Sequence, residues 1–151
     1  GSVFLPAYRT ASVAGSVSGA ARVAELAVFR LYELGYDPTD VLSATGSAPV
    51  APVAGDEQTA IGRTNDALAY GGRVHLTVAE DADVFESVPS SAAALYDAPF
   101  AEIFGGEDWD HDEIDEGAFG PAQLTVDVVG GPTYAFGEVR EDLLAEGFGL
   151  A

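Results

Sequence analysis

Cysteine, methionine and lysine are all absent from this chain of 151 residues, and only six arginines supply basic charge. Without cysteine the protein can form no disulfide and no thiolate metal site. Nucleic-acid binding normally requires a basic patch that displaces counterions from phosphates, and six scattered arginines do not form one. We therefore expect no nucleic-acid partner.

Long apolar runs are missing too. No window of roughly 18 or more apolar residues occurs, and the N-terminus lacks a basic flank followed by an apolar signal core. The sequence therefore predicts no membrane contact and a soluble, cytoplasmic protein. The chain begins GSV rather than with methionine, which raises the alternative that it is a piece of a longer protein.

The charge balance is strongly acidic, because 25 aspartates and glutamates oppose six arginines and give a net charge of −19. A small soluble domain usually carries a net charge of about 2 to 8. At about 1 M salt the screening length falls to roughly 3 Å, so high salt would remove most of the self-repulsion. The composition favours the cytoplasm of a halophile. The alternative, a surface that attracts a basic partner, needs clustered acids, whereas these are spread along the chain with one dense run at residues 107–116.

Hydrophobic periodicity predicts both helices and strands. Apolar spacing indicates a helix over residues 17–31, ended by a left-handed cap at Gly35. Alternation predicts a strand at residues 73–80, and residues 122–139 are typical of two strands in an antiparallel hairpin. We predict an α+β fold, or α/β with a mixed sheet, in which the C-terminal hairpin packs against helices in a single domain of residues 1–151.

The remaining segments have weaker patterns. We expect short helices from the Asp37 N-cap to near Gly46, at residues 99–104 and at residues 139–146. Residues 3–8 are typical of a short strand or an entry segment, residues 46–57 of a loop, and residues 61–72 of a polar loop followed by a short apolar segment.

Most familiar catalytic patterns are absent. His75 and His111 lie far apart, and the acidic segment around His111 has Glu113 where a calcium loop needs glycine. We interpret that segment as a solvated loop, His75 as structural, and expect no metal. The segment GSVSGA matches neither of the phosphate-loop patterns G-x-x-x-x-G-K-[ST] and G-x-G-x-x-G. Backbone amides before a helix could still bind an anion there. The absence of G-x-S-x-G argues against a serine hydrolase.

Arg22 and Glu25 form the charged pair that is the best candidate for catalysis. Residues three apart share a helix face, so both charged groups can reach one space. A surface ion pair worth about 0 to 1 kcal/mol is the simpler interpretation. However, Ala20, Ala21 and Ala24 surround the pair and would let a ligand approach closely. In a cleft, the guanidinium would keep the carboxylate ionised and oriented to accept a proton from water.

Several segments, in order, resemble the C-terminal half of the methenyltetrahydromethanopterin cyclohydrolase family, over nearly all of the chain. The most specific is GRTNDALAYGG downstream of APVAPVA. The others are SVAGSVSGAARVAELAVFRLYELGYD, APFAEIF, IDEGAFGPAQLTVDVV and TYAFGEVREDLLAEGFG. The resemblance implies an enzyme that reversibly adds water to a methenyl-tetrahydropterin and opens it to the N5-formyl compound, without a metal or redox cofactor.

The family's catalytic R-x-x-E falls on Arg22 and Glu25, which implies that Glu25 activates or orients the water and Arg22 positions its carboxylate. The resemblance further implies two domains with the pterin in the cleft between them, and a homotrimer. Because the upstream domain is not in this chain, a fragment, a remnant, and half of a divided enzyme with an N-terminal-half partner chain all stay open. The acidic composition suits a halophilic archaeal member, whose carrier is tetrahydromethanopterin or tetrahydrofolate.

Arg63, Asn65 and Asp66 are candidate substrate-binding residues, because their side chains offer donors and acceptors for a pterin ring or its tail. Equally, Asn65 and Asp66 could bond their own backbone in a turn. Two functions remain in view: a methenyl-pterin cyclohydrolase, and a noncatalytic domain that keeps the fold and binds a partner polypeptide.

Overall fold

The computed structural model describes residues 1–94, 96–103 and 116–151 of the chain. The dense acidic run and His111, for which we predicted a solvated loop, lie almost wholly outside the described residues. No helix among those residues is both long and apolar enough to span a bilayer.

Five α-helices and four strands make up the described fold. The helices are α1 (Val13–Ala21), α2 (Val23–Glu33), α3 (Glu57–Ala69), α4 (Phe100–Ile103) and α5 (Glu141–Gly147). The strands are β1 (Val41–Ser47), β2 (Arg73–Val78), β3 (Gln123–Val128) and β4 (Thr133–Gly137). Short 3₁₀ helices occupy Pro38–Asp40, Asp83–Ser87, Ser90–Ala92 and Glu116–Phe119.

The four strands form one mixed sheet in the order β1-β2-β3-β4. The β2–β3 pair is parallel, while β1–β2 and β3–β4 are antiparallel. The predicted α+β fold with a mixed sheet and a C-terminal hairpin is therefore confirmed. β1 and β4 are the edges, which explains why six of the seven β1 residues are exposed.

Alternation along the central strands separates a buried face from an open one. Val74, Leu76 and Val78 of β2 are buried, whereas Arg73 and His75, which alternate with them, are exposed. β2 and β3 pack their apolar side chains against Ala27 and Leu31 of α2 in the main core. β1 also lies close to α2, since a Cβ at Gly46 would lie only 2.6 Å from Val23 Cγ1. The opposite sheet face carries no described helix.

A second apolar cluster joins α3, α4 and α5. Ala69 at the end of α3, its C-cap Tyr70, Phe100 of α4 and Leu143 of α5 are buried together. The Tyr70 hydroxyl donates to the carbonyl of Ala98 at 2.6 Å. This cluster packs the C-terminal end of α3 against α4 and α5.

The end of the first predicted helix is confirmed, but the single helix is wrong. Gly35 has φ of +88° and its N–H donates to the Tyr32 carbonyl, which is the left-handed cap that the sequence indicated. The helix begins earlier than predicted, at Val13, and the chain divides into α1 and α2 around Arg22. The GSVSGA segment therefore lies inside α1 and does not precede a helix.

Three other predictions need correction. The helix expected after Asp37 shrinks to one 3₁₀ turn, because the following residues pair with β2 as edge strand β1. The polar start of residues 61–72 is helical, since Asp56 caps α3 by accepting from the Thr59 N–H and small residues then bury its inner face. Residues 3–8 form no strand and are exposed. The loop before α3, strand β2, the helix near residue 100 and α5 are confirmed.

Candidate active site

Arg22 lies at the joint between α1 and α2. Its N–H donates to the Gly19 carbonyl at 3.1 Å, as the last turn of α1 requires. Its own carbonyl accepts from the Leu26 N–H at 2.9 Å and begins α2. The arginine thus belongs to both helices, and Glu25 follows in the first turn of α2, where a negative charge suits the helix dipole.

The Arg22 and Glu25 side chains form a two-point ion pair. Nε lies 3.2 Å from Oε2, and Nη2 lies 3.1 Å from Oε1. The hydrogen bond from Arg22 lowers the pKa of Glu25 and the same bond raises the pKa of Arg22. The arrangement keeps the carboxylate ionised and fixes its orientation. Both side chains are about half exposed, at 54% and 62%.

Arg22 also borders a groove of about 330 Å³, here called the α1–α3 groove. Its other lining residues come from the N-terminal segment, the first three helices and one 3₁₀ helix: Tyr8, Thr10, Gly15, Ser18, Gly19, Leu26, Ile61, Thr64, Asn65, Leu68 and Phe119. Apolar walls with a few polar groups are typical of small-molecule sites. Glu25 does not line this groove, so the carboxylate lies outside it while its partner stands at the edge.

The N-terminal segment forms one wall of the groove and is tied to two helices. The Tyr8 hydroxyl donates to Ser18 Oγ of α1 at 2.6 Å. Arg9 Nε donates to Glu57 Oε1 in the first turn of α3 at 2.7 Å, and the Ala11 N–H reaches Oε2 of the same carboxylate at 3.2 Å. These contacts hold Tyr8 beside the groove although its segment has no regular secondary structure.

Of the three predicted binding residues on α3, Asn65 alone lines the groove. Its Nδ2 donates to the Ile61 carbonyl at 2.9 Å. Neighbouring Thr64 is buried, and its hydroxyl donates to the Ala60 carbonyl at 2.9 Å. α1 approaches closely here, since a Cβ at Gly19 would lie 3.2 Å from Thr64 Cβ. The structure therefore brings Asn65 and Arg22 to one groove.

Arg63 and Asp66 lie on other faces of α3. The Arg63 guanidinium lies beside Gly149 near the C-terminus. Asp66 is completely buried, and its Oδ1 accepts from the Phe100 N–H at 2.8 Å. Burial raises the pKa of Asp66 to about 6, while the hydrogen bond from Phe100 opposes that rise. Neither residue lines the α1–α3 groove.

Sequence reasoning missed Tyr8, Ser18 and Thr64 as groove residues. The spacing of Ser18 and Arg22, four residues apart, would have placed them on one helix face. Thr64 adjoins a candidate that was named, and only its helical phase shows which way it points. Tyr8 carried no such signal, because its position depends on contacts with residues far along the chain.

An exposed aromatic pair continues the Glu25 face of α2. Phe29 and Tyr32 follow Glu25 by four and seven residues, and they are 53% and 61% exposed. Their ring centroids lie 6.4 Å apart. Spacing of this kind places all three on one side of the helix. The ion pair and two uncovered rings therefore share a surface.

Within the described ranges, no group of three or more His, Asp or Glu residues is placed to hold a metal ion. His75 is exposed on β2, and its Nε2 lies 2.6 Å from Asp127 Oδ2 on β3. The strand position predicted for His75 is thus confirmed, with a carboxylate neighbour that sequence did not identify. His111 lies outside the described residues.

Comparison with known proteins gives a consistent result. A family model described as Cyclohydrolase (MCH) matches residues 1–148. The chain is 81% identical over 150 residues to a methenyltetrahydromethanopterin cyclohydrolase of Halobacterium salinarum, covering 99% of this chain and 48% of that protein. It is 42% identical over 144 residues to the methenyltetrahydromethanopterin cyclohydrolase of Methanocella arvoryzae, covering 93% and 45%. The chain spans about half the length of the curated relatives it matches.

Proposed function

This chain belongs to the cyclohydrolase (MCH) family, and from this membership we propose its function. The proposed reaction is the reversible hydrolysis of a 5,10-methenyl-tetrahydropterin, with methenyl-tetrahydromethanopterin as the first candidate substrate. Water adds to the cationic methenyl carbon, the bond from that carbon to N10 breaks, N10 takes up a proton, and the N5-formyl compound and one proton are released. The tetrahydrofolate analogue is the second candidate substrate.

The observation that carries this proposal is the two-point ion pair at the edge of the α1–α3 groove. The carbon under attack bears a delocalised positive charge, and a fixed, ionised Glu25 would stabilise it and orient the attacking water. Arg22 would position that carboxylate and hold its pKa low. A weak base suffices for this step, because the methenyl carbon is already activated. The reaction as proposed requires no metal or redox cofactor.

Asn65 supports the same assignment from the opposite wall of the groove. It lies on α3, and Arg22 lies at the end of α1, so a flat heterocycle between them would meet polar groups from two helices. Tyr8 and Ser18 add hydroxyl groups to the same groove. These side chains would bind and orient the ring system, while Glu25 would act on the reacting carbon.

The active assembly is proposed to contain at least one further chain, which is either another copy of this chain or a different partner chain. Both charged side chains of the pair are about half exposed, and an exposed pair acts weakly because water screens it. The chain spans about half of its relatives' length. Either the neighbouring copies of a homotrimer or a partner chain corresponding to the other half would cover the Arg22–Glu25 ion pair and exclude water from it. A cytoplasmic location is proposed with this activity.

A direct assay tests the proposed reaction. The purified chain, in about molar salt so that its charge is screened, is mixed with methenyl-tetrahydromethanopterin or methenyl-tetrahydrofolate, and loss of the methenyl absorbance is followed. Each reaction is repeated with any co-purifying chain. Turnover above the buffer rate supports the proposal and its dependence on the carrier identifies the substrate. No turnover under any of these conditions contradicts it.

A second candidate function is a noncatalytic domain that binds a partner polypeptide. The observation that favours it is the exposure of Phe29 and Tyr32 beside the ion pair. A Phe29→Ser, Tyr32→Ser variant separates the two functions. If the variant loses a co-purifying chain while the parent turns over no pterin, the binding function is supported. If the parent turns over pterin, the cyclohydrolase function is supported.

A further inference from the structure

The open face of the sheet contains a polar pocket that the proposed reaction does not use. Arg73 and His75 of β2 point to this face, beside Ser47 and Thr45 of β1 in register. The pocket, here called the open-face pocket, has a volume of about 360 Å³. Its lining residues are Thr45, Gly46, Ser47, Arg73, Val74, His75, Gln123 and Thr125. None of them lines the α1–α3 groove.

Arg73 differs from most other arginines of this acidic chain. In the described part of the molecule, carboxylates pair with Arg9, Arg22, Arg30 and Arg140. Arg73 makes no ion pair or side-chain hydrogen bond there. Glu141 borders a neighbouring hollow that Arg73 also lines, yet the two form no ion pair. No carboxylate of the described residues neutralises the Arg73 guanidinium, which is therefore available to an external anion.

The polar side chains that line the open-face pocket with Arg73 can donate hydrogen bonds, and none of the lining residues is acidic. Hydroxyl groups of Thr45 and Ser47 come from one neighbouring strand, and the Gln123 amide and Thr125 hydroxyl come from the other. A planar guanidinium flanked by hydroxyl and amide donors is suited to a tetrahedral oxyanion, which it can contact at two points.

The carboxylate that contacts the pocket residue His75 belongs to Asp127 and is engaged by two partners. Asp127 Oδ2 lies 2.6 Å from His75 Nε2, and Oδ1 accepts from the Thr133 hydroxyl at 2.6 Å. These bonds, first from Thr133 and then from His75, lower the pKa of Asp127. Asp127 itself is not among the residues that line the pocket. His75 is thus held at the pocket wall in a fixed orientation.

We propose that the open-face pocket binds a phosphate group through Arg73, with the hydroxyl and amide groups of β1 and β3 as further donors. The pocket volume lies within the range of about 300 to 1,000 Å³ that is usual for small-molecule sites. A phosphate monoester of a small molecule and free inorganic phosphate share this chemistry. The site is separate from the proposed cyclohydrolase site and does not depend on that function.

The test follows the ring C–H signals of the histidines by NMR. The chain contains two histidines, so His75 is observed in the pocket and His111 provides an internal reference. Inorganic phosphate, ribose 5-phosphate or ribose is added at constant ionic strength in potassium chloride. Binding predicts that the His75 signal shifts and saturates with the two phosphates, does not shift with ribose, and leaves His111 unchanged.

Two variants complete the test. Arg73→Gln should weaken phosphate binding by about 10- to 100-fold, the usual effect of losing a charged hydrogen-bonding group. Arg30→Gln, which removes an arginine from α2 on the other side of the sheet, should leave binding unchanged. The thermal midpoint of Arg73→Gln should match that of the parent, because the Arg73 side chain makes no ion pair or hydrogen bond with the described residues. A loss of binding could then not be attributed to unfolding.

The outcomes decide the proposal and the source of the phosphate. Equal affinity for both phosphates supports a site for the free ion, and tighter binding of ribose 5-phosphate supports a site for a phosphate monoester. A shift that stays linear in concentration, a parallel shift of His111, or an unchanged affinity in Arg73→Gln overturns the site.

Discussion

Arg22 Nη2 lies 3.1 Å from Glu25 Oε1 at the point where α1 ends and α2 begins. If this carboxylate stabilises the methenyl cation and orients water, Glu25→Gln removes the charge and keeps the shape. We expect kcat to fall by about 100-fold or more while KM changes little, because the lost interaction is strongest in the transition state. Steady-state loss of methenyl absorbance measures both constants.

The same helix supplies a matched control for this substitution. Arg30 and Glu33 form a second ion pair with the same three-residue spacing, at 3.5 Å. Glu33→Gln should therefore leave kcat close to that of the parent. Equal losses in the two variants would show that the effect comes from helix stability and not from chemistry at Glu25.

Asn65 and Arg63 distinguish the two faces of α3. Asn65 lines the α1–α3 groove and Arg63 does not. Asn65→Ala should raise KM by about tenfold, as expected for one lost substrate hydrogen bond, with a smaller effect on kcat. Arg63→Ala should leave KM unchanged. The reverse ranking, measured in the same assay, would place the substrate on the other side of the helix.

The elements that sequence predicted correctly are those with a local physical signature. Strand β2 alternates between buried and exposed side chains, and the glycines between β3 and β4 permit a tight turn, with Gly130 at φ of +73°. Gly35 ends α2 because a left-handed residue is needed there. Such features depend on a few neighbouring residues, so one sequence suffices to read them.

The elements that sequence missed depend on distant partners. β1 is a strand because β2 pairs with it, and most of its own residues are small and exposed. α3 buries Ala60, Thr64 and Asp66 against other elements. Because its sequence is polar, the first part of this helix was predicted as a loop. For the site, spacing alone predicted that Arg22 and Glu25 share a face. The choice of Asn65 over its neighbours required the phase of α3.

The acidic surface predicts that stability increases with salt. With a net charge of −19, folding concentrates like charges, and raising salt from about 0.1 M to about 1 M shortens the screening length from roughly 10 Å to 3 Å. The thermal midpoint, followed by circular dichroism, should rise steadily over this range of potassium chloride. A triple variant, Glu86→Gln, Glu138→Gln and Glu146→Gln, should show a smaller rise. A midpoint independent of salt would contradict the electrostatic explanation.

Asp66 predicts a pH dependence of opposite direction to that of most carboxylates. It is completely buried, and its Oδ2 has no hydrogen-bond partner among the described residues. Gly147 lies directly against this carboxylate, so a side chain at residue 147 would collide with it. Burial raises the pKa of Asp66 to about 6 from an ordinary value of 3.8. Between about pH 4 and pH 6, the folded state therefore holds a proton that the unfolded state has already released.

Because the folded state binds the extra proton, this group stabilises the protein most below about pH 4, and its contribution is lost as pH rises through about 6. The loss amounts to roughly 3 kcal/mol in the free energy of unfolding. Asp66→Asn cannot titrate, so its stability relative to the parent should increase by most of that amount between pH 4 and pH 7, whatever constant offset the amide introduces. Urea unfolding at fixed salt measures the difference. Asp127→Asn is the control with the opposite sign, since hydrogen bonds from Thr133 and His75 lower the pKa of Asp127 below its ordinary 3.8. The parent's stability relative to that variant should therefore stay nearly level between about pH 5 and pH 7 and fall as pH drops below about 4. A flat difference between Asp66→Asn and the parent would show that folding does not raise the pKa of Asp66.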